Sequence, residues 1–260
     1  MNDHRPIGIF DSGVGGLTVA SKIKGLLPQE ALIYFGDTAH LPYGDKSAHA
    51  IRSYIREISS FLKDQNCKGI VVACNSASSV LDEELVAEMK LPVFNVIDPV
   101  VNYVRNNHSL NKIGVIATRR TIRSKIYSTK IKKNSPDKEV VEIATPMLAA
   151  MIEEGFTDGP IANAVLKRYL NEVPQVDALI LGCTHYPLVS AIIQDILGPN
   201  IKLIDAPELV ALDIKDQLQA FEGQNNQQDK FFVSDLTASF QKTAQLFFGE
   251  SISLSEHSLS

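Results

Sequence analysis

Ile70-Val71-Val72-Ala73-Cys74-Asn75-Ser76 and Leu179-Ile180-Leu181-Gly182-Cys183-Thr184-His185 decide how this chain is read. Each is a short apolar run that ends in a cysteine followed by polar residues. Run length and β-branched content say strand. A second pair precedes the first: Ile7-Gly8-Ile9-Phe10-Asp11-Ser12 resembles Ile113-Gly114-Val115-Ile116-Ala117-Thr118. The offsets are 106 and 109 residues, nearly one register. Two matches in order at nearly one spacing favour duplicated halves over chance. Each half opens on a strand ending in or beside a hydroxyl residue and later has a strand ending at a cysteine.

Outward from these pairs, Leu32–Phe35, Val93–Ile97 and Phe231–Val233 read as further strands. Leu17–Leu27, Ala48–Gln65, Ala77–Met89, Pro160–Asn171, Leu188–Leu197 and Ala238–Phe248 have helical periodicity. Strand–helix alternation predicts parallel sheets covered by helices. The expected fold is therefore α/β: two similar three-layer α/β domains with parallel-rich sheets, related by a pseudo-twofold. Residues 1–97 with 210–260 would form one domain and 98–209 the other. The polar segment Gly223–Asp229 reads as a loop, and the Ser-rich tail Ser251–Ser260 as frayed.

The chain has 260 residues, a net charge of −5 and no apolar run near the ~20 residues of a membrane span. Its first residues lack the apolar centre of a signal peptide, so a cytoplasmic, non-membrane protein is expected. The basic residues of Arg119–Lys133 read as a solvated helix face. Aromatics are sparse there and the chain is acidic, which argues against a nucleic-acid partner. Three cysteines without a CxxC pair argue against a disulfide framework.

Functional residues in open α/β sheets gather beyond the carboxyl ends of the strands, where both Cys74 and Cys183 are expected. Removing a proton from one face of an α-carbon and returning it to the other needs a base and an acid on opposite sides. Two like groups facing each other serve both directions. A thiol suits the task where a helix N-terminus or neighbouring donors lower its pKa. Cys67, before Lys68-Gly69, reads as an inert core residue. The spacing of Cys74, Cys183 and His185 matches no usual zinc signature, so no metal is expected. His185 either assists proton transfer or is a hydrogen-bonded structural residue.

Asp11-Ser12-Gly13-Val14-Gly15-Gly16-Leu17-Thr18 is a Gly-rich strand-to-helix turn, with Asp37 closing the next strand. A dinucleotide fingerprint fails twice: Thr18 stands at the third glycine, and Asp11 puts a carboxylate where pyrophosphate would approach. The turn is either a small-anion site, with Asp11 transferring protons or meeting an ammonium group, or a packing turn with an Asp or Ser cap. Gly36-Asp37-Thr38 and Pro42-Tyr43-Gly44 form a second loop, an aromatic-plugged turn or a source of backbone N–H groups for a carboxylate. Thr145-Pro146-Met147-Leu148 and Glu153-Glu154-Gly155 bracket a helix and its glycine stop, with the glutamates as surface charge.

In chain order, Ile9 to Thr18, Gly36-Asp37-Thr38 with Leu41-Pro42-Tyr43-Gly44, Ala73-Cys74-Asn75-Ser76-Ala77 and Leu181-Gly182-Cys183-Thr184-His185-Tyr186-Pro187-Leu188 resemble the motifs of bacterial glutamate racemases. The resemblance implies a two-domain α/β fold with the active site in the cleft between domains. It implies a two-base interconversion of L- and D-glutamate without a cofactor, feeding peptidoglycan synthesis, and a homodimer. By position it makes Cys74 and Cys183 the acid/base pair, assisted by Asp11 and His185, with Glu154 a further candidate. It puts the substrate against Asp11, Ser12, Tyr43, Gly44, Asn75, Ser76, Thr118, Thr121, Glu154, Thr184 and His185. Ser76 stands where that family more often has Thr; it keeps the hydroxyl and loses a methyl. Related aspartate racemases usually carry Glu after the second Cys-Thr, and His185 in that place favours glutamate.

Overall fold

The computed structural model describes residues 3–218 and 227–259. Ten strands are present among them: β1 (Ile7–Asp11), β2 (Leu32–Gly36), β3 (Gly69–Val72), β4 (Val93–Asn95), β5 (Lys112–Ala117), β6 (Glu139–Ala144), β7 (Ala178–Gly182), β8 (Lys202–Asp205), β9 (Lys230–Val233) and β10 (Leu254–Glu256). They form two sheets, in the orders β10-β9-β2-β1-β3-β4 and β6-β5-β7-β8, and every pairing is parallel. Omitting β9 and β10, the two orders are the same. The first strand of each half lies between its second and third, with the fourth outside.

The repeat extends to register. Gly8 pairs with Ile70 in the first sheet, and Gly114 with Leu179 in the second, the positions matched in the sequence. Each glycine makes room for a packed neighbour. A Cβ on Gly8 would stand 3.0 Å from the Cys67 sulfur, and one on Gly114 would stand 2.9 Å from Leu179 Cδ1. Cys67 is thus the buried core residue expected of it.

The helices are α1 (Leu17–Leu26), α2 (Ala48–Asp64), α3 (Asn75–Ser78), α4 (Glu83–Met89), α5 (Asp98–Asn106), α6 (Arg119–Ser124), α7 (Ile126–Asn134), α8 (Leu148–Glu153), α9 (Gly159–Leu170), α10 (Ser190–Leu197), α11 (Ala206–Gln217) and α12 (Ala238–Phe248). In α2, the Ser47 hydroxyl caps the N-terminus by accepting from Ala50 N at 3.1 Å. Its buried face includes Ile51, Ile55, Ile58 and Leu62, the 4-3-4 spacing of one helical stripe. Each such side chain withdrawn from water contributes about 1.5–3 kcal/mol. The opposite face of the first sheet packs on α1, and α1 packs on α11, which also meets α5. One apolar core therefore runs from Ile9 and Val19 through Val100 and Val210 into Val115 and Ile180 of the second half. Position 210 lies inside α11.

Three expectations are corrected. Ala77–Met89 is not one helix. Ser78 and Ser79 turn their hydroxyls onto the carbonyls of Val72 and Ser76, and Asp82 starts α4 afresh by accepting from Leu85 N at 2.9 Å. The stretch before Ser190 is a 3-10 turn, Tyr186–Val189, with Pro187 within it. The tail is not frayed at Leu254–Glu256, which adds a strand to β9. Leu254 is buried there, and Gln241 of α12 clamps the tail, its amide donating to Ile252 O and accepting from Leu254 N. Two outer strands, β6 and β8, went unread because charged residues break their apolar runs. Of the expected loop Gly223–Asp229, residues 223–226 lie outside the described residues, and Gln227–Asp229 is irregular. Among the described residues, no helix is long and apolar enough to cross a membrane.

Candidate active site

The carboxyl ends of both sheets converge on one cavity of about 350 Å³. Its wall takes Ser12, Tyr43, Gly44, Cys74, Asn75 and Ser76 from the first half, and Thr118, Cys183, Thr184 and His185 from the second. Ten of the sequence-expected residues therefore meet there, from positions up to 173 residues apart in the chain.

Cys74 occupies the N-cap of α3, two residues past β3. Its sulfur donates to Ser12 Oγ at 3.6 Å. Burial pushes the thiol up to about 12, and the neighbouring charge of Asp11 adds to this. The Ala77 N–H and the Ser12 hydroxyl oppose the rise without overcoming it. The helix end was expected to favour thiolate here. Desolvation outweighs it, because α3 is a single turn and its dipole is small.

Cys183 directly follows β7. His185 Nδ1 lies 3.6 Å from its sulfur and 3.3 Å from Thr184 Oγ1, and His185 Nε2 lies 2.7 Å from Glu153 Oε1. Burial alone would push this imidazole down. The Cys183 sulfur and the Glu153 carboxylate outweigh it and hold the histidine well above its ordinary value, as a cation.

Glu153 was expected to be surface charge, with Glu154 the candidate for the site. The helical period reverses this. Pro146, Ala149, Ala150 and Glu153 share the face of the α8 segment that lines the cavity, while Glu154 is the exposed C-cap residue. The spacing of Pro146, the two alanines and Glu153 was the available signal.

Asp11 is fully buried and does not line the cavity; it lies behind the wall next to Cys74. Its Oδ2 accepts from Gly13 N at 3.1 Å, and Oδ1 has no hydrogen-bond partner among the described residues. Burial raises its pKa, opposed by the His185 charge and the N–H groups of Gly16 and Gly13. Thr121 is likewise set back, buried and 3.3 Å from Thr118 Oγ1. Thr118 in turn lies 2.8 Å from Ser76 Oγ, so two hydroxyls from opposite halves close one side of the cavity.

The Gly-rich turn is a packing device between halves. A Cβ on Gly15 would stand 2.3 Å from His185 Cε1, and one on Gly16 would stand 2.5 Å from Asp11 Cβ. Thr18 stands where a fingerprint needs glycine, and its hydroxyl donates across the interface to Thr184 O at 3.0 Å. Tyr127 of α7 donates to Asn75 Oδ1 at 2.7 Å, which turns the amide nitrogen away. That buried Asn75 Nδ2 has no partner among the described residues, a donor ready for a ligand acceptor. The basic segment after Thr118 is not wholly a solvated face, because Arg119 lines the rim and pairs with Asp45 at 3.0 Å.

The family model for Asp/Glu/Hydantoin racemase matches residues 18–212. A glutamate racemase of Geobacter metallireducens is 42% identical over 253 residues, covering 94% of this chain and 93% of the relative. The chain belongs to the Asp/Glu/hydantoin racemase family. A glutamate racemase of Thermoanaerobacter pseudethanolicus is 40% identical over 255 residues, covering 96% of each chain. A crystal structure of a Francisella tularensis glutamate racemase in complex with D-glutamate superimposes with a TM-score of 0.92 at 38% identity, covering 99% of this chain and 98% of that one. Racemases are isomerases. The cavity presents one sulfur from each of two equivalent strand ends.

Proposed function

We propose that the chain interconverts L- and D-glutamate by proton transfer between Cys74 and Cys183. The observation that carries this reading is the pair of cysteines brought from equivalent strand ends of two like-ordered sheets into one cavity. Cys74 holds its proton, and in the direction that uses this proton Cys183 is the base. The Cα–H bond breaks as Cys183 takes the proton, the electron pair moves into the α-carboxylate, and a new Cα–H bond forms with the Cys74 proton on the opposite face. The product leaves the two sulfurs with exchanged protonation, which is the starting state for the reverse direction. The His185 cation sits beside Cys183 and stabilises negative charge there, and Glu153 holds that cation from its far side. Asn75 Nδ2 and the hydroxyls of Ser12, Ser76, Thr118 and Thr184 are the donors for the two carboxylates. Asp11, buried behind Cys74, tunes that sulfur, and Thr121 acts through Thr118, whereas Glu154 points away from the cavity and takes no part. No cofactor is required, because the thiols supply both proton steps. A dimeric cytoplasmic enzyme supplying D-glutamate for peptidoglycan belongs to the same reading.

Circular dichroism of the purified chain with L-glutamate, and separately with D-glutamate, tests it without added cofactor. Decay of both signals to zero is expected, unchanged after dialysis against a carbonyl reagent. Silence with glutamate and decay with aspartate would move the substrate to the other acidic amino acid.

A further inference from the structure

One buried carboxylate beside the cavity takes no part in the proton transfer. Asp37 is 1% exposed and accepts from Tyr43 OH at 2.5 Å and from Ser234 Oγ at 2.9 Å, with His40 Nδ1 2.8 Å away. A carboxylate this buried is held in place by such partners, since leaving any of its oxygens bare is costly. Tyr43, pushed upward by burial and by Asp37, keeps its proton and stays a donor. Tyr43 and Gly44 form the cavity wall that faces Thr118, where a Cβ on Gly44 would approach Thr118 Cβ to 3.0 Å. Small movements of this loop therefore change the width of the cavity.

Ser234 comes from the residue after β9, beyond the segment that the family model matches. Its hydroxyl serves two partners, donating to Asp37 and accepting from Ala39 N at 2.9 Å. Its own N–H reaches Gly36 O at 3.0 Å. Next to it, Asp235 O accepts from Thr38 Oγ1 at 2.5 Å, and Asp235 N donates back to the same oxygen at 2.9 Å. The loop from Gly36 to Ala39 is thus fastened to the strand that follows the second half of the chain.

We infer that Ser234, acting through Asp37, is a positioning residue that sets the Tyr43–Gly44 wall of the substrate cavity, so that a segment touching no substrate governs how tightly the amino acid is held. This rests on the glutamate reading above. Both cysteines and His185 lie elsewhere on the wall, so binding should change while the chemical step does not.

The experiment is steady-state racemisation by wild type, Ser234→Ala and Ser234→Thr, with calorimetric titration of D-glutamate into each. Ser234→Ala should raise KM and Kd about tenfold, the loss of one hydrogen bond to a charged group, and leave kcat within about twofold. Ser234→Thr keeps the hydroxyl and should recover KM. A general loss of structure would instead lower the active fraction, cutting kcat with KM unmoved. Should Ser234→Ala fail to fold, Asp37→Asn, which lies off the cavity wall and weakens the network at its centre, should give the same split. Turnover by wild type with KM unchanged in Ser234→Ala, or in Asp37→Asn where that variant replaces it, overturns this inference alone. A wild-type chain that neither binds nor racemises glutamate overturns the functional reading and this inference with it.

Discussion

Cys74 follows β3 and Cys183 follows β7, strands that hold the same place in two sheets of the same order. Their surroundings nevertheless differ. The first sulfur faces a serine hydroxyl and a buried carboxylate behind it, and keeps its proton. The second faces a histidine cation tied to Glu153. Duplication supplied two reaching positions, and local substitutions gave them unlike electrostatics. A reaction that runs both ways needs two acid/base groups but not two identical environments. Burial holds the proton on Cys74, while the other sulfur has the histidine cation beside it.

The comparison breaks most sharply at the sulfurs. Cys74→Ser and Cys183→Ser should each cut racemisation by at least about 10²–10⁴-fold, as expected for a lost general acid or base, with the fold intact by circular dichroism. Near-wild-type turnover in either would end the two-sulfur account. Gly15→Ala comes next, because its methyl would overlap His185. Shifting that ring by about 1 Å should cost roughly 10²-fold in kcat, with little change at the Cys74 side. A crystal structure of the variant would show whether the ring moved.

Glu153→Gln sharpens the comparison by pH. His185 is raised above its ordinary value, so the cation persists as pH rises past the usual imidazole range and is lost only above it. Removing the Glu153 charge takes away one raising influence. The histidine titration followed by NMR should therefore move to lower pH, and kcat/KM should fall about tenfold. Glu154→Gln, one residue along, should leave both within twofold. The smallest effect is expected at the seam. Thr18→Val removes the bond to Thr184 O and should lower stability by about 1 kcal/mol, read from urea unfolding.

Much of the fold was legible because its signal is local. The strands β1, β3, β5 and β7 are uninterrupted apolar runs, and their repetition announced two like sheets. Outer strands such as β6 read poorly, since Glu139 and Glu142 interrupt the apolar pattern of a strand exposed along one edge. The tail misled for a related reason. Its polar composition says nothing of the unpaired backbone edge that β9 offers it. Among site residues, those inside the cysteine and glycine motifs were found. Glu153 was misplaced by one position because helix phase, and not sequence adjacency, chooses which glutamate faces inward. Ser234 carried no signal at all, since its value lies in a contact made 197 positions away.

The sequence by itself determined the α/β class, the internal duplication and the two cysteines. Periodicity and strand-end chemistry are properties of short stretches, and a short stretch carries its own evidence. Only the tertiary structure decided that burial holds the proton on Cys74, which glutamate meets His185, why Gly15 must lack a side chain, and what holds Tyr43 in the wall. These depend on burial and on charges brought together from distant parts of the chain, and electrostatic energy is fixed by distance and solvent exclusion once the chain has folded.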